Sequence, residues 1–448
     1  MVRLSLHLWR TERIGPTLVA MRLLIACLLL LSVVPASPQS APVVTPQLHD
    51  LAEAEALGSN LYTNSGSTGL VLVVVRGNEV FFHGYGEAVP GSHEAPTRKS
   101  VVRLCSLTKI FTTDLLSKLV ADGTVRLDDT LKRYAPESTV VPEKGAPITL
   151  EELATHTAGL EREIGTAPRH TPHFSYPDYE TRWHWLAGAE LKFTPGTQAF
   201  YSNVGFDLLS DALAKASKMP YASLLATRTL EPLKMWDTTF YPGPSQCERL
   251  MTGAHDEGPC TITASTEGSS GLYSTPADME KFLKYLVREG APKQPMQSDG
   301  ALDVYVRPAS LKGQYGLDHA GRPSGIGLGW MHLGASGNTS YLIEKTGGGA
   351  GFTTYIAIHP ASRTALFVAM TEGPPHAWKR GFNIFEAAND GLLALAGLTP
   401  LPNEPRRRIM ARHHPPGMLK AHAKSPSKRK HMARMEQRAA GDSSLNSR

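Results

Sequence analysis

Ser106 and Lys109 stand three residues apart in the stretch RLCSLTKIFTT, Arg103 to Thr113. Leu104, Leu107, Ile110 and Phe111 surround them, so the segment faces a core. An ammonium in such a place is costly unless it has partners. A serine hydroxyl is a weak nucleophile until a base takes its proton. Residues i and i+3 share one face of a helix, so Lys109 is placed to act on Ser106. The spacing alone is weak, because Ser425/Lys428 and Ser427/Lys430 repeat it near the C-terminus.

Two further elements follow in order. Tyr201-Ser202-Asn203 is the first; Tyr-x-Asn is also weak alone, since Tyr62-Thr63-Asn64 matches it. Lys345-Thr346-Gly347 is the second and the only Lys-Thr-Gly in the chain. Together they form an intelligible set. Lys109 can serve as the base if burial and a second nearby cation lower its pKa, and Lys345 would be that cation. A Tyr201 phenol between two ammonium groups moves toward phenolate and is the rival base. The Asn203 amide can position Lys109 and hold a substrate amide. Lys345 and Thr346 suit a substrate carboxylate, by charge and by hydroxyl donation. Gly347 and Gly348 let a substrate backbone lie close to the strand. An oxyanion needs two N–H donors, for which the backbone of Ser106 and of Gly348 are candidates.

The elements that must hold these groups are legible from pattern. Thr68 to Ala88 has two apolar, β-branched runs around Gly77-Asn78, the pattern of a β-hairpin. From Ser106, apolar residues recur at helical spacing until Gly123. Thr149 and Glu152 form a capping-box pattern ahead of a helix. More helices are expected through VGFDLLSDALAKAS, PYASLLATRTL and, capped near Thr275, TPADMEKFLKYLVREG. After Gly325, strand character returns in GLGWMHL, SYLIEKTG, FTTYIAIHP and TALFVAMT, and a last helix covers NIFEAANDGLLALAGL. The order predicts an α+β fold: an antiparallel sheet built from both ends of the chain, flanked by helices, with an all-α region inserted. The expected boundaries are a catalytic domain over 37–400, with its α/β part near 45–100 and 260–400 and its helical part near 101–259.

The chain has 448 residues and a formal net charge of +5. Residues 403–448 hold 12 Lys/Arg against 3 Asp/Glu, so the basic excess belongs to the tail and the remainder is net acidic. That distribution argues against a nucleic-acid-binding core. The tail, 401–448, has the composition of a disordered extension, either passive or in contact with anionic membrane or wall polymer. Near the other end, Met21-Arg22 precedes the apolar run Leu23–Val34, and Ala36 follows in a cleavage-site context. Residues 1–36 read as an export signal with Met21 as a possible true start, which predicts a periplasmic protein. Cys27 opens a rival lipoprotein reading. Cys247 and Cys260 are a candidate disulfide, with a metal site through His255 as the rival. Cys105 reads as a small core residue. His156, in ATHTAGL, reads as a structural residue bonding loop backbone, and Trp183 and Trp185 as core packing. No metal and no cofactor are called for.

SLTK, YSN and KTG resemble the motifs of the serine β-lactamase/penicillin-binding protein superfamily, in particular its class C branch. PITLEELATHT, SSGLYSTPADM, YSN…FDLLSDALA and KTGGGAGF also resemble that branch, and more finely the AmpH-type D-alanyl-D-alanine carboxypeptidases/endopeptidases, over about Pro46 to Leu398. The resemblance implies an α/β domain and an all-α domain with the site between them. It implies Ser106 as acylated nucleophile, Lys109 and Tyr201 as the acid/base pair, and Lys345 as the carboxylate-binding residue. The expected substrates are D-Ala-D-Ala peptides of peptidoglycan and muropeptides, with β-lactam antibiotics as pseudo-substrates. A class C β-lactamase, an esterase on the same fold and a non-catalytic penicillin-binding sensor remain alternatives.

Overall fold

The computed structural model describes residues 51–254, 258–289, 300–317, 320–321, 323–334, 342–374 and 377–399. The export signal, His255 and the basic tail lie outside these residues. All described residues fall in one unit that begins at Gln47.

The first helix among the described residues, α1 (Leu51–Ser65), has no counterpart among the sequence expectations. Its signal was Ala54, Leu57 and Leu61, spaced to share one face and all buried. The hairpin follows as β1 (Gly69–Arg76) and β2 (Glu79–Gly86), with Arg76 opposite Glu79 across Gly77-Asn78. Gly77 takes φ +59°, where a side chain would be strained. A helical region then runs through α2 (Thr108–Ala121), α3 (Leu150–Ala154), α4 (Tyr179–Ala187), α5 (Asn203–Ser217) and α6 (Pro276–Glu289). The sheet resumes with β3 (Pro323–Ile326), β4 (Met331–Leu333), β5 (Leu342–Gly349), β6 (Phe352–His359) and β7 (Thr364–Thr371), and α7 (Ile384–Leu395) is the last helix among the described residues.

The seven strands form one antiparallel sheet in the order β2-β1-β7-β6-β5-β4-β3. Strands far apart in the sequence meet where β1 pairs with β7, Leu70 opposite Met370. β1 is buried along its whole length, which is why it reads as a continuous apolar run and does not alternate. Val71, Val73 and Val75 join the larger core with Phe111, Phe282 and Leu283. Leu70, Leu72 and Val74 join the smaller core under α1 and α7, with Leu57, Leu61, Leu392 and Leu393. The sheet is thus covered on both faces.

Local signals explain several element ends. In the capping box of α3, Thr149 Oγ1 accepts from the Glu152 N–H at 3.4 Å, and the Glu152 carboxylate accepts from the Thr149 N–H at 2.7 Å. Thr275 Oγ1 accepts from the Asp278 N–H at 3.2 Å at the start of α6. Two expectations are corrected. GLGWMHL is not one strand: the chain turns at Gly329, φ +72°, and only Met331–Leu333 pair. The helix expected through PYASLLATRTL is α-helical only over Tyr221–Leu225 and widens to a π-turn over Ala226–Leu230. Trp183 is buried and Trp185 packs partly against the same core.

Candidate active site

Ser106 does not sit in the α-helix itself. It occupies a 3-10 turn, Cys105–Leu107, that leads into α2. Cys105 takes φ +51°, an uncommon conformation for a residue with a side chain, and so turns the backbone sharply just before Ser106. Arg103 anchors the approach: it donates to the Tyr273 hydroxyl and to the Pro259 carbonyl, each at 3.0 Å. Pro259 is held in turn by the disulfide between Cys247 and Cys260. The Cys105 thiol donates to the Gly349 carbonyl at 3.3 Å, and burial pushes its pKa up to about 12. The sulfur beside Ser106 therefore stays a protonated packing group and is no rival nucleophile.

One turn on, Lys109 is fully buried inside α2, a helix enclosed on nearly every side. Its Nζ donates to Asn203 Oδ1 at 2.6 Å, to the Ser269 carbonyl at 2.9 Å, and at a longer 3.5 Å to Ser106 Oγ. The last distance is long for a hydrogen bond, as contacts in empty catalytic sites often are. Burial lowers the Lys109 pKa, Lys345 lowers it further, and the hydroxyl of Tyr201 opposes both. The charge in an awkward place is thus partnered, and biased toward its neutral form.

Tyr201 and Asn203 arrive on the segment that ends in α5. Ala199–Phe200 pairs in parallel with Gln314–Tyr315, and the Tyr201 N–H donates to the Tyr315 carbonyl at 3.1 Å. Ser202 then caps α5, its Oγ accepting from the Gly205 N–H at 2.9 Å. Asn203 is the first residue of the helix. The Tyr201 ring is buried among cations: Lys109 Nζ lies 4.9 Å, Lys345 Nζ 5.2 Å and Arg162 Cζ 4.6 Å from its centroid.

Lys345, Thr346 and Gly347 lie on β5, which runs past the Ser106 turn. A Cβ on Gly347 would stand 2.2 Å from Thr354 Oγ1, 2.9 Å from the Leu104 carbonyl and 3.2 Å from the Ser106 nitrogen. Only glycine allows so close an approach. β4 pairs with β5 only from Leu342 to Glu344. Among the described residues, no strand covers that edge of β5 from Lys345 to Gly349. Gly348 and Gly349 are exposed there, so the edge can take an added peptide strand.

The structure therefore brings Ser106, Lys109, Tyr201, Asn203, Lys345, Thr346, Gly347 and Gly348 into one neighbourhood, from three segments far apart in the chain. Tyr62-Asn64, the second Tyr-x-Asn, lies on α1 and at its end, away from this set. Sequence reasoning missed three residues, Arg162, Glu163 and Asp207, and gave His156 only part of its role. Arg162 covers the Tyr201 ring, and Glu163 accepts a hydrogen bond from the Asn203 amide. Asp207 is joined to Lys109 through Ser269, as described below. His156 does more than bond loop backbone: its ring stacks on Tyr201 at 4.4 Å, while Nδ1 accepts from the Ser202 N–H at 3.2 Å. Of the three missed residues, only Asp207 carried a sequence signal, in the spacing Asn203-x₃-Asp207.

The fold and site define a serine hydrolase of the β-lactamase/penicillin-binding type. The model of the β-lactamase family matches residues 55–388, and the chain belongs to that family. It is 40% identical over 362 residues to the Escherichia coli K12 D-alanyl-D-alanine-carboxypeptidase/endopeptidase AmpH, covering 80% of this chain and 93% of that one. Among solved structures it is similar to a β-lactamase/D-alanine carboxypeptidase from Yersinia pestis, at 35% identity and TM-score 0.71, over 77% of this chain and 99% of that one. It also matches the fold of an octameric penicillin-binding protein homologue from Pyrococcus abyssi, at 21% identity and TM-score 0.62, over 78% of each chain.

Proposed function

We propose that the protein cleaves D-Ala-D-Ala-type peptide bonds of peptidoglycan, as a carboxypeptidase/endopeptidase working through an acyl-enzyme on Ser106. The observation that carries this reading is the placement of buried Lys109 between Ser106 Oγ and Asn203 Oδ1, with Lys345 across the Tyr201 ring. The substrate peptide lies along the open edge of β5, its carboxylate toward Lys345 and Thr346. Ser106 Oγ attacks the carbonyl carbon and yields its proton to the Lys109–Tyr201 pair. The oxyanion takes N–H bonds from Ser106 and Gly348. The pair returns the proton to the leaving amine, the C–N bond breaks, and Ser106 carries the acyl group. Water then attacks the ester, gives one proton to the pair, and releases the acid as Ser106 recovers its hydrogen.

A β-lactam ring presents the same amide and carboxylate, so penicillins acylate Ser106 too. The names of the E. coli and Yersinia relatives support the peptidase assignment. The disulfide supports an oxidising compartment, and with the apolar run Leu23–Val34 it supports export to the periplasm. The basic excess of residues 403–448 would suit contact with anionic membrane or wall polymer. The test supplies purified protein with muropeptides and a chromogenic cephalosporin side by side. Faster muropeptide turnover is expected; faster cephalosporin turnover makes the protein a β-lactamase.

A further inference from the structure

Joined to Lys109 through Ser269 lies a buried carboxyl, Asp207, that the mechanism above does not use. Asn203, Asp207 and Asp211 are spaced four apart on α5 and form one stripe down the helix. Asn203 holds Lys109. Asp211 is satisfied elsewhere: it takes two bonds from Arg182 at 2.7 and 2.6 Å and one from the Trp183 indole at 2.8 Å. Asp207, between them, is 1% exposed. Its Oδ2 accepts from the Ser269 hydroxyl at 3.1 Å, and its Oδ1 has no hydrogen-bond partner among the described residues. Ser269 is the residue whose carbonyl receives Lys109 Nζ at 2.9 Å. One residue therefore touches the ammonium with its backbone and the carboxyl with its side chain.

We propose that Asp207 is a positioning residue that sets the charge state of Lys109, through Ser269 and through its own buried carboxyl. The inference rests on the reading of Ser106 and Lys109 given above. Four charged or titratable groups act on Asp207: Lys109 from α2, Arg182 from α4, Asp211 from its own helix, and Glu267 from the turn before Ser269. Three carboxyls thus share the field of one guanidinium and one ammonium. Asp211 holds the guanidinium bidentately, which leaves Asp207 and Glu267 as the pair less able to ionise. Burial pushes Asp207 up to about 7, against the pull of Arg182 and Lys109, and pushes Glu267 up to about 8. With its pKa raised by burial, the Asp207 carboxyl is coupled to Lys109, so the charge of one biases that of the other. When Asp207 is ionised it favours the ammonium; when protonated it frees Lys109 to be neutral. The proton taken from Ser106 enters a site whose charge is balanced by this second carboxyl.

The test follows the rate at which the full chain is acylated by a fluorescent penicillin, from about pH 5 to about pH 9. Asp207→Asn keeps the size and the acceptor for Ser269 but can never ionise. Its acid limb should move to lower pH by about half to one unit. The sign is the same whether Lys109 or Tyr201 takes the proton, because loss of a buried negative charge lowers the pKa of both. A limb that stays in place, moves upward, or merely loses height without moving overturns the inference while leaving the assignment of Ser106 intact. Should Asp207→Asn not fold, Ser269→Ala carries the test. It removes the hydroxyl from Asp207 and spares the carbonyl that meets Lys109, so a smaller move in the same direction is expected, and none overturns the inference. A wild-type chain that takes no label overturns the reading of the site and this inference with it.

Discussion

The imidazole of His156 lies on the phenol ring of Tyr201, centroids 4.4 Å apart and planes 29° from parallel. The backbone of His156 takes φ +62°, and its carbonyl accepts from the Phe200 N–H at 2.8 Å. The residue therefore steers the segment that delivers Tyr201 and also braces the ring.

Burial among cations sets the charge of His156. Burial holds its pKa well below the usual value, and Lys109, Lys345 and Arg162 push the same way. Being depressed in the folded state, the group binds a proton more readily when unfolded. Its contribution to stability is complete above about pH 6.5 and is lost as pH falls below that, by up to about 1.4 kcal/mol per pH unit. His156→Gln, compared with wild type in urea melts at pH near 7 and near 5, should flatten this slope. It should also cost acylation about tenfold by loosening Tyr201. An unchanged slope shows that His156 does not titrate on unfolding.

Lys109 must be able to lose its charge. Lys109→Arg keeps the cation, places a bulkier fork at a fully buried position, and cannot deprotonate. Acylation should fall by roughly 10²- to 10⁴-fold, as for loss of a general base. Stopped-flow labelling with a penicillin measures it. A variant within threefold of wild type shows that Lys109 serves only as a charge.

The close approach at Gly347 is rigid because backbone and a bonded threonine line it. Thr354 Oγ1 donates to the Leu104 carbonyl at 2.9 Å and is the first atom that an added Cβ would strike. Gly347→Ala should push β5 away from the Ser106 turn at a cost of about 1–3 kcal/mol in stability. Acylation should suffer more than the melting temperature does. Thr354→Ser leaves the obstructing oxygen in place and should not rescue it, whereas Thr354→Ala in the same background should restore part of the rate. Equal rates in all three variants contradict the steric account.

Lys345 is fully buried on β5 and its Nζ lies over the Tyr201 ring, so its charge serves both the tyrosine and the incoming substrate. Lys345→Ala should lose more kcat/KM on a peptide ending in a free carboxylate than on the matching carboxamide. A difference of about tenfold or more is expected from one charge-assisted bond. Equal losses on the two substrates argue that Lys345 acts only through Tyr201.

The sequence by itself determined the local chemistry. The apolar runs around Gly77-Asn78 make a hairpin, Thr149 and Glu152 cap a helix, and Ser106, Tyr201-x-Asn203 and Lys345-Thr346-Gly347 each sit at or beside the edge of a regular element. These features depend on residue type and on neighbours a few positions away. The helix α1 was legible in principle through Ala54, Leu57 and Leu61, but short apolar signals of that kind are easily passed over. Tertiary structure decided everything that joins distant segments. It placed Asn203 Oδ1 2.6 Å from a lysine 94 residues earlier, and it put three cations around one phenol. It also turned His156 from a loop residue into the support of Tyr201, and Asp207 from one more helical carboxylate into a neighbour of Lys109. Burial and charge separation set these roles. Both are properties of packing between elements, and no local pattern in the chain encodes them.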